Sequence, residues 1–151
     1  MKTKLLLLGT KNTSAQTVLA NGIVNLGQVY RRNDQKNSCG YRAFEFENSS
    51  ITLQHSGMYK ITVTATFSAP VAGDVTLQLY ENGEPIVGAL ATETITTADT
   101  EFRSVAIDYI ILVDKNCVLN QWSTIAKSIS VRNVGVGATI TNIVFDVVKV
   151  A

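Results

Sequence analysis

Residues 57–68 read Gly-Met-Tyr-Lys-Ile-Thr-Val-Thr-Ala-Thr-Phe-Ser. Extended, this stretch puts Tyr59, Ile61, Val63, Ala65 and Phe67 on one side and Lys60, Thr62, Thr64 and Thr66 on the other. Wound as a helix, it would mix the two sets around the axis. Strict period two, carried mainly by β-branched and aromatic side chains, specifies a strand with one face toward a core. The strand is long enough to cross a whole sandwich, so the rest of the chain is expected to pack around it.

The flanking sequence repeats the signal. Asp74 to Tyr80 alternates Val75, Leu77 and Leu79 against Thr76, Gln78 and Tyr80, and Asn82-Gly83 follows. Asn and Gly tolerate positive φ at both centres of a type I′ turn. A hairpin returning through residues 85–91 is therefore expected, with Pro85 on a sheet edge. Asn21-Gly22 marks another tight turn. Residues 4–8, 16–20, 51–54 and 117–120 read as short extended segments, and 102–113, 128–133 and 138–150 as strands. Over residues 41–47 the aromatic positions fall out of step, which predicts a bulge near Ala43 or a later strand start. Residues 92–100 read as loop or weak strand, and residues 89–93 as at most one helical turn. About ten strands at intervals of roughly 8–14 residues, with no helix, imply an all-β antiparallel sandwich or barrel.

At 151 residues one domain is expected, with a core that needs neither metal nor disulfide. Only 17% of residues are charged and the net charge is +1, which provides no basic excess for nucleic acid or a membrane surface. No run approaches the roughly twenty apolar residues of a membrane span. Leu5 to Leu8, after Lys2 and Lys4, is too short for a signal-peptide core, so synthesis in the cytoplasm is expected. Cys39 and Cys117 are far apart in sequence, cannot complete a zinc site, and read as two separate thiols, with a disulfide between them as the alternative.

Two strands break the rule that an antiparallel sandwich strand is apolar inward and polar outward. In residues 105–113, one face carries Val105, Ile107, Tyr109, Ile111 and Val113, and the other Ala106, Asp108, Ile110 and Leu112. In the closing strand, Ile143, Phe145 and Val147 share one face, and Ile140, Val144, Val148 and Val150 the other. A second apolar face needs a cover, because an exposed patch on a flat sheet invites aggregation. The cover is either a loop of the same chain or a second subunit.

Several of these pieces carry a resemblance. Gly57-x-Tyr-x-Ile-x-Val opens a central strand, a long apolar strand ends at Asp114-Lys-Asn, and a last strand closes the sequence. The set resembles the jelly roll of the tumour-necrosis-factor-like and complement-globular-head-like superfamily. More narrowly, residues 20–27, 29–32, 57–63, 74–83 and 87–89 are similar in order and spacing to small phage head-fibre or capsid-decoration proteins. The resemblance spans roughly residues 17–150. It implies a homotrimer whose inner sheet packs around a three-fold axis. The interface would then comprise Ala106, Asp108, Ile110, Leu112, Val144, Asp146, Val148 and Val150. It further implies a structural virion protein that meets a phage capsid or other virion proteins. Residues 1–14 are expected to be an N-terminal anchor, with Leu5, Leu6, Leu7 and Leu8 adding a strand to a neighbour, and residues 15–151 the jelly-roll domain. The alternative is a trimeric adhesin that presents its loops to host-surface glycans.

Positive signs of catalysis are missing. His55 is the only histidine, and its neighbour Ser56 cannot orient it as nucleophile and base do; a solvated turn is expected there. Asp108 and Asp146 are the acids set inside apolar strands. On a three-fold axis they would form rings able to hold a cation or a shared proton. Otherwise each lies at a strand end with access to water. Arg31, Arg32, Lys36 and Arg42 cluster around one loop and read as an anion grip or as solvated charge. Tyr30, Tyr41, Tyr80 and Trp122 are candidate sugar-stacking aromatics or core residues. No phosphate-binding glycine loop, dinucleotide fingerprint or calcium loop is present, and no cofactor is implied.

Overall fold

The alternating stretch forms β7 (Gly57–Ser68), and Tyr59, Ile61, Val63, Ala65 and Phe67 are all buried. The computed structural model describes residues 5–36, 40–114 and 126–151. The expected strand at 117–120, together with Cys39, Cys117 and Trp122, lies outside the described residues.

The other strands are β1 (Leu7–Asn12), β2 (Gln16–Val18), β3 (Gly22–Ile23), β4 (Gln28–Asn33), β5 (Phe44–Glu47) and β6 (Ser50–Leu53). After β7 come β8 (Gly73–Glu81), β9 (Glu84–Ile95), β10 (Arg103–Val113), β11 (Lys127–Asn133) and β12 (Ala138–Lys149). They build two antiparallel sheets. The front sheet runs β10-β7-β12-β1-β4, with β2 paired to β12. The back sheet runs β5-β6-β11-β8-β9, with β3 paired to β11. Between them lies one core, filled by the inward sets of β7, β8, β11 and β12. Phe44 meets Tyr59 edge to face, with ring centroids 5.9 Å apart. The Tyr59 hydroxyl, deep in this core, donates to the His55 carbonyl at 2.6 Å. Burial pushes that phenol well above its ordinary range. The fold is an all-β jelly-roll sandwich.

The Asn82-Gly83 hairpin forms as its sequence dictates. Both residues take positive φ, 51° and 83°, and the Asn82 carboxamide oxygen accepts from the Ser128 amide at 2.8 Å. Pro85 sits on β9, an edge strand of the back sheet. The segment around residues 41–47 resolves as a later strand start at Phe44, with Ala43 and Phe44 both buried.

Four expectations are corrected. Strand β9 continues to Ile95, so residues 89–93 are not a helical turn and, of the loop or weak strand expected from residue 92, the strand is what forms as far as Ile95, because hydroxyls on its outer face find partners on β8. Thr76 and Thr92 share a hydrogen bond of 2.7 Å, and Thr94 donates to Asp74 at 2.6 Å. Ile140 faces the core, not the second face of the closing strand, because a bulge between Ile140 and Asn142 shifts the alternation by one. His55 is buried, with its Nε2 2.7 Å from the Tyr41 carbonyl, and is not a solvated turn residue.

The fourth concerns the N-terminus. Residues 7–12 are β1, hydrogen-bonded between β12 and β4, and so belong to the sandwich and not to a separable anchor. Leu8 is in the core, Leu6 packs against it, Leu7 is half-buried, and Leu5 alone of the four is exposed. An extension able to leave the domain would strip a strand from the interior of the front sheet.

Candidate functional site

The outward face of the front sheet carries the unmatched apolar residues. Its registers place side chains in cross-strand rows. One row is Leu112 beside Met58, next to Val150. The second is Ile110, Lys60, Val148 and Leu7. The third is Asp108, Thr62, Asp146 and Gly9. The fourth is Ala106, Thr64, Val144 and Lys11. Ile110 and Leu112 are each 55% exposed and Val150 49%. No loop among the described residues covers them. All eight residues expected at an interface therefore share one face, with the apolar ones on either side of a polar middle row.

That middle row is built with some care for its charges. Asp108 is 65% accessible at its side chain, accepts from the Thr62 hydroxyl at 2.9 Å and lies 4.0 Å from the Lys60 ammonium. Asp146, on the interior strand β12, is only 25% accessible. It accepts from the Tyr30 hydroxyl at 2.6 Å and lies 3.6 Å from the Arg31 guanidinium. Both acids lie mid-strand, not at strand ends. Donation to Asp146 raises the Tyr30 phenol above its ordinary range.

Tyr30 comes from β4, two strands away from Asp146. It reaches there because it is the extra residue of a bulge: Gly9 pairs Arg31 while Thr10 pairs Val29. Between tyrosine and acid lies Gly9. A Cβ on Gly9 would stand 2.5 Å from the Asp146 carboxylate and 2.8 Å from the Tyr30 ring. Sequence reasoning missed this arrangement. Reading the extended segment as residues 4–8 leaves Gly9 in a loop, whereas β1 runs through it to Asn12, and a glycine inside a strand is the signal of close approach that this reading loses. Lys11 and Arg31 hold their cations 5.4 Å and 5.3 Å from the centre of the Tyr30 ring.

The basic loop is not assembled into one grip. Arg32 and Arg42 bracket Asp34, at 3.1 Å and 3.4 Å, and the Asp34 side chain is nearly inaccessible. Burial alone would raise that carboxyl, but the bonds and charge of Arg32 outweigh it, and the net effect is to hold it below its ordinary range. Arg31 faces Asp146 instead. Tyr80 lies under the Arg132 guanidinium at 5.0 Å on the back sheet, far from Tyr30 in the topology. Among the described residues no cluster of three or more His, Cys, Asp or Glu is placed to hold a metal. Among the described residues no helix is long and apolar enough to cross a membrane.

No family model and no curated protein matches this sequence. Solved structures do match. Eiger TNF from S. frugiperda superposes with a TM-score of 0.66 at 10% identity, over 97% of this chain and 93% of that one. The globular domain of zebrafish complement 1qA gives 0.61 at 9%, over 97% and 98%. PRD1 vertex protein P5 gives 0.57 at 15%, over 97% of each chain. The chain thus has the jelly-roll fold shared by tumour-necrosis-factor-like proteins, complement globular heads and a vertex protein.

Proposed function

We propose that this protein is a structural virion component of a bacteriophage: a homotrimer attached to the capsid as a head fibre or decoration protein. The observation that carries the proposal is the outward face of the front sheet. Met58, Ile110, Leu112 and Val150 expose large apolar side chains together there, on strands whose other face already fills the core. A second and third copy of the same face is the natural cover, with Ala106, Asp108, Ile110, Leu112, Val144, Asp146, Val148 and Val150 in the contact. The likeness of fold to PRD1 vertex protein P5 supports a place on a virion. His55 is buried against the Tyr41 carbonyl, and Asp108 and Asp146 are hydrogen-bonded to Thr62 and Tyr30.

Light scattering on the purified protein, at micromolar concentration and tenfold below, tests the assembly. A constant mass of three chains is expected, and a clean monomer would remove the physical basis of the proposal. Co-sedimentation with empty capsids of the encoding phage then tests the attachment.

The second reading is a trimeric adhesin with host-surface glycans as ligand. A polar cleft beside Lys11 and Tyr30 favours it. Binding on a glycan array, with no co-sedimentation with capsids, would select this reading over the first.

A further inference from the structure

The cleft lies where β1 and the edge strand β4 meet the turns at residues 12–14 and 25–27. Its volume is about 520 Å³, within the range of small-ligand sites. Lys11, Thr13, Ser14, Gln28, Tyr30 and Asn48 contribute side chains to it, and none of the residues lining it carries a carboxylate.

Its floor is fixed by hydrogen bonds of side-chain carboxamides between the two turns. Gln16 grips the Asn25 backbone from both ends, donating to its carbonyl at 2.8 Å and accepting from its amide at 2.9 Å. Asn12 donates to the same carbonyl at 3.1 Å, and Gly27 donates to the Asn25 side-chain oxygen at 2.8 Å. Gly27 takes φ 84° and lies so close to the Lys11 carbonyl and Asn12 that no side chain would fit. A floor braced this way loses little freedom when a ligand arrives.

Tyr30 is committed to Asp146 and the Lys11 ammonium lies against its ring, but the other polar side chains of the cleft are unspent. Gln28, Asn48, Thr13 and Ser14 make no side-chain hydrogen bond among the described residues, and the Lys11 ammonium has no carboxylate partner there. Carboxamides and hydroxyls in this density suit a ligand with several hydroxyls. The exposed Tyr30 ring suits the apolar side of a sugar ring, which would take the place of the Lys11 ammonium now lying against it. One unpaired cation in a wall without acids suits a single anionic group. Nucleic acid would need a row of cations, and this cleft has one.

We infer that the cleft is a subsite for an anionic saccharide, a sugar bearing a carboxylate or a phosphate, with Lys11 as the anion contact and Tyr30 as the ring contact. The inference deepens the adhesin reading. The lining residues all come from one chain, so binding is read at their own amides; Lys11 shares a cross-strand row with Val144 of the proposed contact, so the oligomeric mass of the same sample separates failure of the cleft from failure of the trimer.

The experiment is an amide NMR titration of the isotopically labelled full chain with four probes: digalacturonic acid, glucose 6-phosphate, neutral galactobiose and inorganic phosphate. The expected result is movement of the amides of residues 11–14, 28 and 48 with the two anionic sugars, the tighter of which identifies the anion. Galactobiose should bind about tenfold more weakly, the difference a charged hydrogen bond supplies. Lys11→Gln should erase that difference while the amides of the core strands stay in place. Lack of movement, equal affinity for galactobiose, or unchanged selectivity in Lys11→Gln overturns the inference. Phosphate that binds as tightly as both sugars overturns it too, as an adventitious ion only.

Discussion

Leu112→Lys tests the proposed contact most directly. Leu112 is 55% exposed within the chain, so the substitution leaves the domain's core untouched. Fully burying a leucine contributes about 2.5 kcal/mol, and the exposed fraction about half of that. Three copies meet in a trimer, so lost apolar burial alone weakens it by about 4 kcal/mol. For dissociation into three monomers, the midpoint concentration moves as the square root of the equilibrium constant, which is about thirtyfold. Three ammonium groups brought together in a dry contact add several kcal/mol more, which moves the midpoint by about a thousandfold or beyond. Analytical ultracentrifugation across micromolar concentrations reads this as loss of the trimer. The control is Leu90→Lys, on the outer face of the back sheet and 45% exposed, which should leave the mass unchanged. A Leu112→Lys protein that keeps the wild-type mass and midpoint refutes the front-sheet contact. A Leu90→Lys protein that falls apart would move the contact to the other sheet.

Three further substitutions test the construction of the fold and face. Glu101 accepts from Thr96, Thr97 and Arg103 across the turn before β10, and these bonds, led by the Thr96 hydroxyl, depress its carboxyl to about 2. Its folded pKa lies below its unfolded one, so its stabilisation is present above about pH 4.5 and is lost as pH falls toward 2. Glu101→Gln should therefore lower the melting temperature at pH 7 and differ little from wild type near pH 2; a gap independent of pH would contradict this. Tyr59→Phe leaves the His55 carbonyl without its donor and should cost about 1–2 kcal/mol in urea unfolding, with no change in oligomeric mass. Gly9→Ala should displace the Tyr30 ring and break its bond to Asp146, read as loss of the raised Tyr30 titration; a spectrophotometric titration identical to wild type would show that the ring does not rest there.

Much of the fold was legible in local pattern. The alternation of β7, the Asn82-Gly83 turn and the two-faced apolar character of residues 105–113 need only neighbouring residues to be read. What escaped depends on partners distant in sequence. Ile140 turned inward because β12 accommodates a bulge against β7, a property of the pair and invisible in either strand alone. His55 is buried because the Tyr41 carbonyl, fourteen residues earlier, is folded over it. Thr92 and Thr94 look like residues of a loop or a weak strand until β8 supplies hydrogen-bond partners for their hydroxyls. That the residues proposed for the contact share one outward face could be read by parity, which strands preserve. The cleft could not be, because Lys11, Gln28 and Asn48 converge on it from three segments without a shared motif.

Gly9 bears on how this chain folds as well as on the face it occupies. Strand β1 begins in a run of leucines, and such a run says little about alignment. A slip by one residue would turn the wrong side inward, but a slip by two would replace Leu8 with Leu6 in the core and Gly9 with Leu7 on the outer face. At the Leu8 position the core would not distinguish the two alignments. The outer face does: the slipped strand would push a leucine into the space that holds the Tyr30 ring and the Asp146 carboxylate. The smallest side chain in the strand is thus the tooth that keys the leucines into place.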